Sequence, residues 1–175
     1  LGAPISTSVL TVKNKQYLYE SFDCNADYLY QTHEKEDNLG HISLECGRRN
    51  NALKFWTLWK SIGRTGLEKI IDQEFNLADI ARKYVEKHPH YKLYSFKNSL
   101  SICFNYKNFD PEDLCKKLYE KNKLMIGFGT FKKVKFIRLI TINCQNTENE
   151  VLNVFKIIEE FTKDPTIILK TIKNE

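Results

Sequence analysis

Apolar positions along the chain change their period several times, and each change marks an element. Residues 3–13, APISTSVLTVK, mix small and β-branched side chains and predict a buried strand. From Tyr17 to about Glu45, tyrosines stand among polar groups. Part of that stretch can be helical, but residues 28–42 show no clear period and read as a long loop, a length that is often functional. Asn50 or Asn51 can then cap a helix to Ile62. Its Leu53, Phe55, Trp56, Leu58, Trp59 and Ile62 cover most of the circumference, which predicts burial on several sides. Gly63 supplies a C-terminal cap. Thr65-Gly66-Leu67-Glu68 reads as a capping box opening a helix to about Lys87. Its apolar stripe is Leu67, Ile70, Ile71, Phe75, Ala78, Ala81, Tyr84 and Val85.

His88-Pro89-His90 reads as a helix stop followed by a turn. Tyr91–Phe96 and Leu100–Tyr106 then predict strands. Asp110 followed by Pro111 predicts a helix start, with the helix ending near Lys123. Leu124–Phe131 and Val134–Ile142 form an expected hairpin, and Thr147 with Glu150 a capping box for a helix through about Lys163. Residues 91–163 therefore predict β-β-α-β-β-α, an α+β unit with its helices on one face.

Composition narrows the class. The 175 residues correspond to one domain and a fraction, 42% hydrophobic and 28% charged, which argues against intrinsic disorder. No apolar run approaches a membrane span, so no membrane partner is expected. Lys plus Arg number 27 against 22 Asp plus Glu, for a net charge of +5. The lysines are scattered among acidic residues, whereas a nucleic-acid footprint would be clustered. The densest basic spot, Lys132, Lys133 and Lys135, falls at an expected turn and reads as surface rather than a phosphate site. Five cysteines, Cys24, Cys46, Cys103, Cys115 and Cys144, lack C-x-x-C spacing. They read as reduced thiols of a cytoplasmic protein, without a zinc ribbon or redox motif.

Three places can carry chemistry. Arg138 interrupts the otherwise apolar strand Phe136-Ile137-Arg138-Leu139-Ile140, and alternation puts it on one face with Val134, Phe136, Ile140 and Ile142. A guanidinium there needs an anionic partner, and its planar fork suits a carboxylate or phosphate. The plainer alternative is an edge-strand arginine reaching water or a nearby Glu. Tyr28, in the polar loop, can donate a proton if placed against a substrate, or simply pack its ring on the surface. Cys46-Gly47-Arg48-Arg49, before a helix, can offer amides and charge to a phosphate, or be an ordinary junction.

These residues carry a family resemblance. The segment Ile42–Gly63, ISLECGRRNNALKFWTLWKSIG, resembles the CGRR…LK.W..W...G signature of group II pyridoxal-phosphate decarboxylases, in the branch acting on glutamate, cysteine sulfinate and aspartate. Tyr28-Leu29-Tyr30-Gln31 resembles the YLFQ loop of that family, and Phe136-Ile137-Arg138-Leu139 its FFR strand. The resemblance implies an α/β, type I (aspartate aminotransferase-like) fold. In that fold residues 1–50 form the tail of the large pyridoxal-phosphate-binding domain with its catalytic loop, and 51–175 a helical linker and the small α+β C-terminal domain. It implies pyridoxal 5'-phosphate as cofactor, an acidic amino acid as substrate and a homodimer.

By the same resemblance, Arg138 binds the substrate α-carboxylate. Tyr28 protonates the carbon left when carbon dioxide departs. Cys46, Gly47 and Arg48 lie near the cofactor phosphate, across the dimer interface. The family's Schiff-base lysine falls just before the segment that Leu1-Gly2-Ala3-Pro4 matches. The chain thus reads as a C-terminal portion, partnered by an N-terminal portion and inactive alone. Asn51 stands where many relatives carry Asp, and the loop around Glu36–Asn38 is slightly shorter. Two other readings remain open. One is a catalytically inactive homologue or split subunit. The other is an RNA-binding α+β module stacking bases on Phe104 and Tyr106, although the Arg/Lys-Gly-aromatic clusters of such modules are missing.

Overall fold

The computed structural model describes residues 7–22, 39–42 and 49–172. The chain forms two compact units that divide after Gly63. In the first, Asn14 starts helix α1 (Gln16–Phe22), its Oδ1 accepting from the Gln16 amide at 3.0 Å. A 3₁₀ turn, Leu39–Ile42, packs against α1. The expected strand over 3–13 does not form in its described part: residues 7–13 carry no strand pairing, and Val9 and Leu10 are largely exposed. Strand propensity there finds no partner ladder among the described residues, and an unpaired extended segment gains no hydrogen bonds.

Helix α2 (Asn51–Lys87) belongs to both units and contains a break. Asn50 caps it as expected, Oδ1 accepting from the Leu53 amide at 3.1 Å. At Gly63 the backbone turns to φ 64°, ψ −177°, a conformation open to glycine and strained for any other residue. Two sequence expectations fail around this break. Leu53, Trp56 and Trp59 are 53%, 56% and 45% exposed, because the described residues build no layer that encloses an all-round apolar helix. The Thr65–Glu68 capping box is not made. Glu68 instead accepts from Arg64 Nε at 3.0 Å, one turn back on a helix that restarts directly after the glycine.

The second unit is an antiparallel four-stranded sheet with helices on one face. Its strands are β1 (Tyr91–Leu93), β2 (Ser101–Tyr106), β3 (Gly127–Phe131) and β4 (Val134–Ile140), in the order β1-β2-β4-β3. Helices α3 (Pro111–Glu120) and α4 (Glu148–Phe161) complete the expected β-β-α-β-β-α order. Both predicted caps are present. Asp110 accepts from the Asp113 amide ahead of Pro111, and Thr147 and Glu150 form the reciprocal box. The core joins Leu77, Ala81 and Val85 of α2, Leu114 and Leu118 of α3 and Phe155 and Ile158 of α4 to Ile102, Phe104 and Ile137 of the sheet. Leu77 takes a core place that the sequence stripe gave to Phe75, which is 39% exposed.

Polar ties fix the periphery. Thr141 donates to the Glu74 carbonyl at 3.1 Å, joining the end of β4 to α2. The buried Arg82 donates to the carbonyls of Ser95 and Ser99, at 3.5 and 3.1 Å, and so holds the β1–β2 connection. The C-terminal segment closes over the start of α3, where the Asp110 amide donates to the Lys170 carbonyl at 2.8 Å.

Candidate functional site

Side chains of β4 alternate across the sheet, and this places Arg138. Ile137 is buried under the helices, and Lys135 reaches the acidic N-terminus of α3. Val134, Phe136, Arg138 and Ile140 take the opposite face, away from α3 and α4, as alternation predicts. The edge-strand alternative does not hold, because β4 lies between β2 and β3. Arg138 stands directly opposite Cys103 of β2 and Gly127 of β3. It is exposed, and among the described residues no carboxylate pairs with it.

The neighbours of Arg138 shape this face. The Cys103 thiol is half-buried, and burial pushes its pKa up while the guanidinium of Arg138 pulls it back. Asn105, two residues along β2, is buried although it points away from the helices. Its Nδ2 donates to the Lys135 carbonyl at 3.0 Å and to Tyr94 Oη at 3.4 Å, and its Oδ1 has no partner among the described residues. Tyr94 and Phe136 lie side by side over it, ring centroids 6.4 Å apart. The face thus presents a planar cation, unpaired among the described residues and bordered by aromatic and small side chains. Such a group binds a carboxylate through two parallel N–H donors.

The other predicted site residues, Tyr28, Cys46, Gly47 and Arg48, lie outside the described residues. Sequence reading missed Cys103, Asn105 and Gly127 as neighbours of Arg138. Pairing register brings them together, and only the polar Asn105 in an apolar strand signalled it beforehand. A second cluster lies on the helix side. Tyr84 Oη donates to Glu159 at 2.8 Å, and burial, reinforced by Glu159, pushes the Tyr84 pKa up to about 12. Tyr84 stacks on Phe155, so the cluster fastens α2 to α4. The RNA-stacking reading fails on the same layer. Phe104 and Tyr106 are 0% and 3% exposed beneath the helices, where no base can reach them.

The model of the pyridoxal-dependent decarboxylase conserved domain matches residues 1–107. The acidic amino acid decarboxylase GADL1 of Mus musculus is 28% identical, over 94% of this chain and 34% of its own length. The L-aspartate decarboxylase of Metarhizium robertsii is 27% identical, over 93% of this chain and 35% of its own. The crystal structure of mouse CSAD superposes with a TM-score of 0.64 at 21% identity, over 84% of this chain and 34% of that one. The chain therefore spans about a third of the length of these relatives, and its fold is that of the corresponding part of a type I decarboxylase. With the family model covering more than half of its residues, the chain belongs to the pyridoxal-dependent decarboxylase family.

Proposed function

We propose that this chain supplies the substrate-carboxylate anchor of a pyridoxal-phosphate-dependent decarboxylase acting on an acidic amino acid: glutamate, aspartate or cysteine sulfinate. One observation carries the reading. Arg138 is held on the sheet face opposite α3 and α4, with no carboxylate partner among the described residues. Its planar fork offers two parallel N–H donors, so a carboxylate is the group it is suited to receive. The names of the relatives, an acidic amino acid decarboxylase and an aspartate decarboxylase, support the substrate class.

Pyridoxal phosphate, when bound, supplies the electron sink for loss of the carboxylate. The donor chemistry described on this face fits the substrate's carboxylate. The residues proposed to lie near the cofactor phosphate are Cys46, Gly47 and Arg48. In this account Arg138 orients the carboxylate and Tyr28 delivers a proton to the carbon that carbon dioxide leaves. Residues 1–50 would belong to the large domain, with 51–175 forming the linker and small domain, and the working unit would be a homodimer. A cytoplasmic location is supported by the free thiols of Cys103, Cys115 and Cys144. No helix among the described residues is long and apolar enough to cross a membrane.

The test is release of carbon dioxide by the full-length protein supplied with pyridoxal phosphate and each of the three acidic amino acids in turn. Turnover of at least one, well above that of leucine or tryptophan, is expected. Absence of turnover with all three, by a folded and cofactor-loaded protein, overturns the reading.

A further inference from the structure

Edge strand β3 carries two glycines on the Arg138 face, and the structure gives them different reasons to be there. Gly129 pairs with Phe136, and a Cβ added to Gly129 would stand 3.1 Å from Phe136 Cε2. The aromatic ring lies over that glycine and occupies the space a side chain would take. Gly127 pairs with Arg138, and a Cβ there would meet only the Arg138 carbonyl oxygen, at 3.9 Å, an ordinary contact. Neither glycine adopts the left-handed backbone that would require one. A strand glycine with neither packing nor conformational cause weakens the strand, and one recurrent reason for such a glycine is the close approach of a ligand or another backbone.

The surroundings of Arg138 show which way a ligand can come. Cys103 faces it from β2, and Phe136 and Ile140 flank it along β4, each with a side chain on the same face. Among these strand neighbours, the β3 side alone carries no side chain beside Arg138. Directly opposed Cβ atoms in an antiparallel pair lie about 4.5–5.5 Å apart, so a side chain at position 127 would fill the space beside the arginine stem. Bidentate binding needs in-plane access to the guanidinium, and a neighbouring position without a side chain leaves room for it. We infer that Gly127 is a specificity-determining residue: its missing side chain is the opening through which the substrate's carboxylate end settles against Arg138. This deepens the carboxylate-anchor reading and rests on it.

The test compares Gly127→Ala, Gly127→Val and Arg138→Gln in the full-length enzyme, reading KM, kcat and melting temperature with the preferred acidic amino acid. One misplaced methyl group in a binding site costs on the order of tenfold. The expected result is a KM raised about tenfold by Ala and further by Val, with kcat within about threefold and no loss of melting temperature. A size-graded rise in KM without loss of stability is not what a purely structural glycine gives. An unchanged KM in folded Gly127→Ala overturns the inference, and this variant decides the matter even if the valine variant fails to fold. If Arg138→Gln raises KM while both Gly127 variants leave it unchanged, only the inference fails. If Arg138→Gln is silent, the anchor reading fails and takes the inference with it.

Discussion

Arg138 and Cys103 face each other across the β2–β4 ladder, a guanidinium-bearing side chain directly opposite a half-buried thiol on the sheet face away from α3 and α4. Burial raises the Cys103 pKa and Arg138 lowers it, so the thiol reports on its neighbour. Replacing Arg138 by Gln removes the opposing charge and moves the Cys103 pKa higher still. Alkylation of Cys103 near pH 8.5 is therefore expected to slow in Arg138→Gln, since a higher pKa leaves less thiolate. Peptide mapping of the labelled cysteine checks it, and an unchanged rate would mean that the two groups do not interact.

Cys115 is predicted to behave in the opposite way. It lies buried in α3 with its thiol directed at the Gly127 carbonyl, 3.7 Å away, and burial pushes its pKa up to about 12. In the native protein it should resist alkylation at pH 8.5 that labels Cys103, and react only after denaturation. Time-resolved labelling of the native protein decides the order.

The β3–β4 hairpin turns through Lys132 and Lys133, both at positive φ (47° and 67°). Two-residue hairpins of this form favour Asn-Gly, since a side chain in left-handed backbone costs roughly 1–2 kcal/mol. The double change Lys132→Asn, Lys133→Gly should stabilise the fold by about 1 kcal/mol, measured by denaturant unfolding. A loss of stability would contradict the turn geometry.

Glu112 accepts hydrogen bonds from Lys116 at 2.7 Å and Lys135 at 2.8 Å, and these hold its pKa at about 2 rather than 4.5. A depressed carboxylate stabilises the fold above its unfolded pKa, and that contribution is lost as pH falls through the folded value. The melting temperature of Glu112→Gln should therefore lie below wild type at pH 7. The gap should narrow as pH drops from about 4.5 toward 2. A gap independent of pH would remove the ion pairs from the account.

Arg82 is 5% exposed and donates to the Ser99 carbonyl at 3.1 Å. Arg82→Met keeps most of the stem but leaves that carbonyl without its donor, for a cost of about 1–3 kcal/mol. Hydrogen exchange across residues 95–100 should accelerate along with the loss of global stability.

How far these features could be read from sequence depends on what determines each one. The caps at Asp110 and Thr147 and the alternation in β4 are local, and they appear where the residues predict them. The strand expected at 3–13 and the enclosure expected for Trp56 and Trp59 depend on partners beyond the local pattern, and neither is found in the described residues. The restart of α2 after Gly63 replaced a plausible capping box with an Arg64–Glu68 pair, because a single φ decided the path. Arg138 was legible as an odd charge in an apolar strand. Its setting among Cys103, Asn105 and Gly127 was not, since register between distant strands is written in no short motif.

The central claim is that Arg138 anchors a substrate carboxylate, and the most direct measurement is steady-state kinetics of Arg138→Gln in the full-length enzyme. Losing a charge-assisted bidentate contact of about 1.5–3 kcal/mol predicts a fall in kcat/KM of roughly ten- to a hundredfold, with the melting temperature preserved because the side chain is exposed. Wild-type kcat/KM in that variant, with every acidic amino acid the enzyme accepts, would contradict the account.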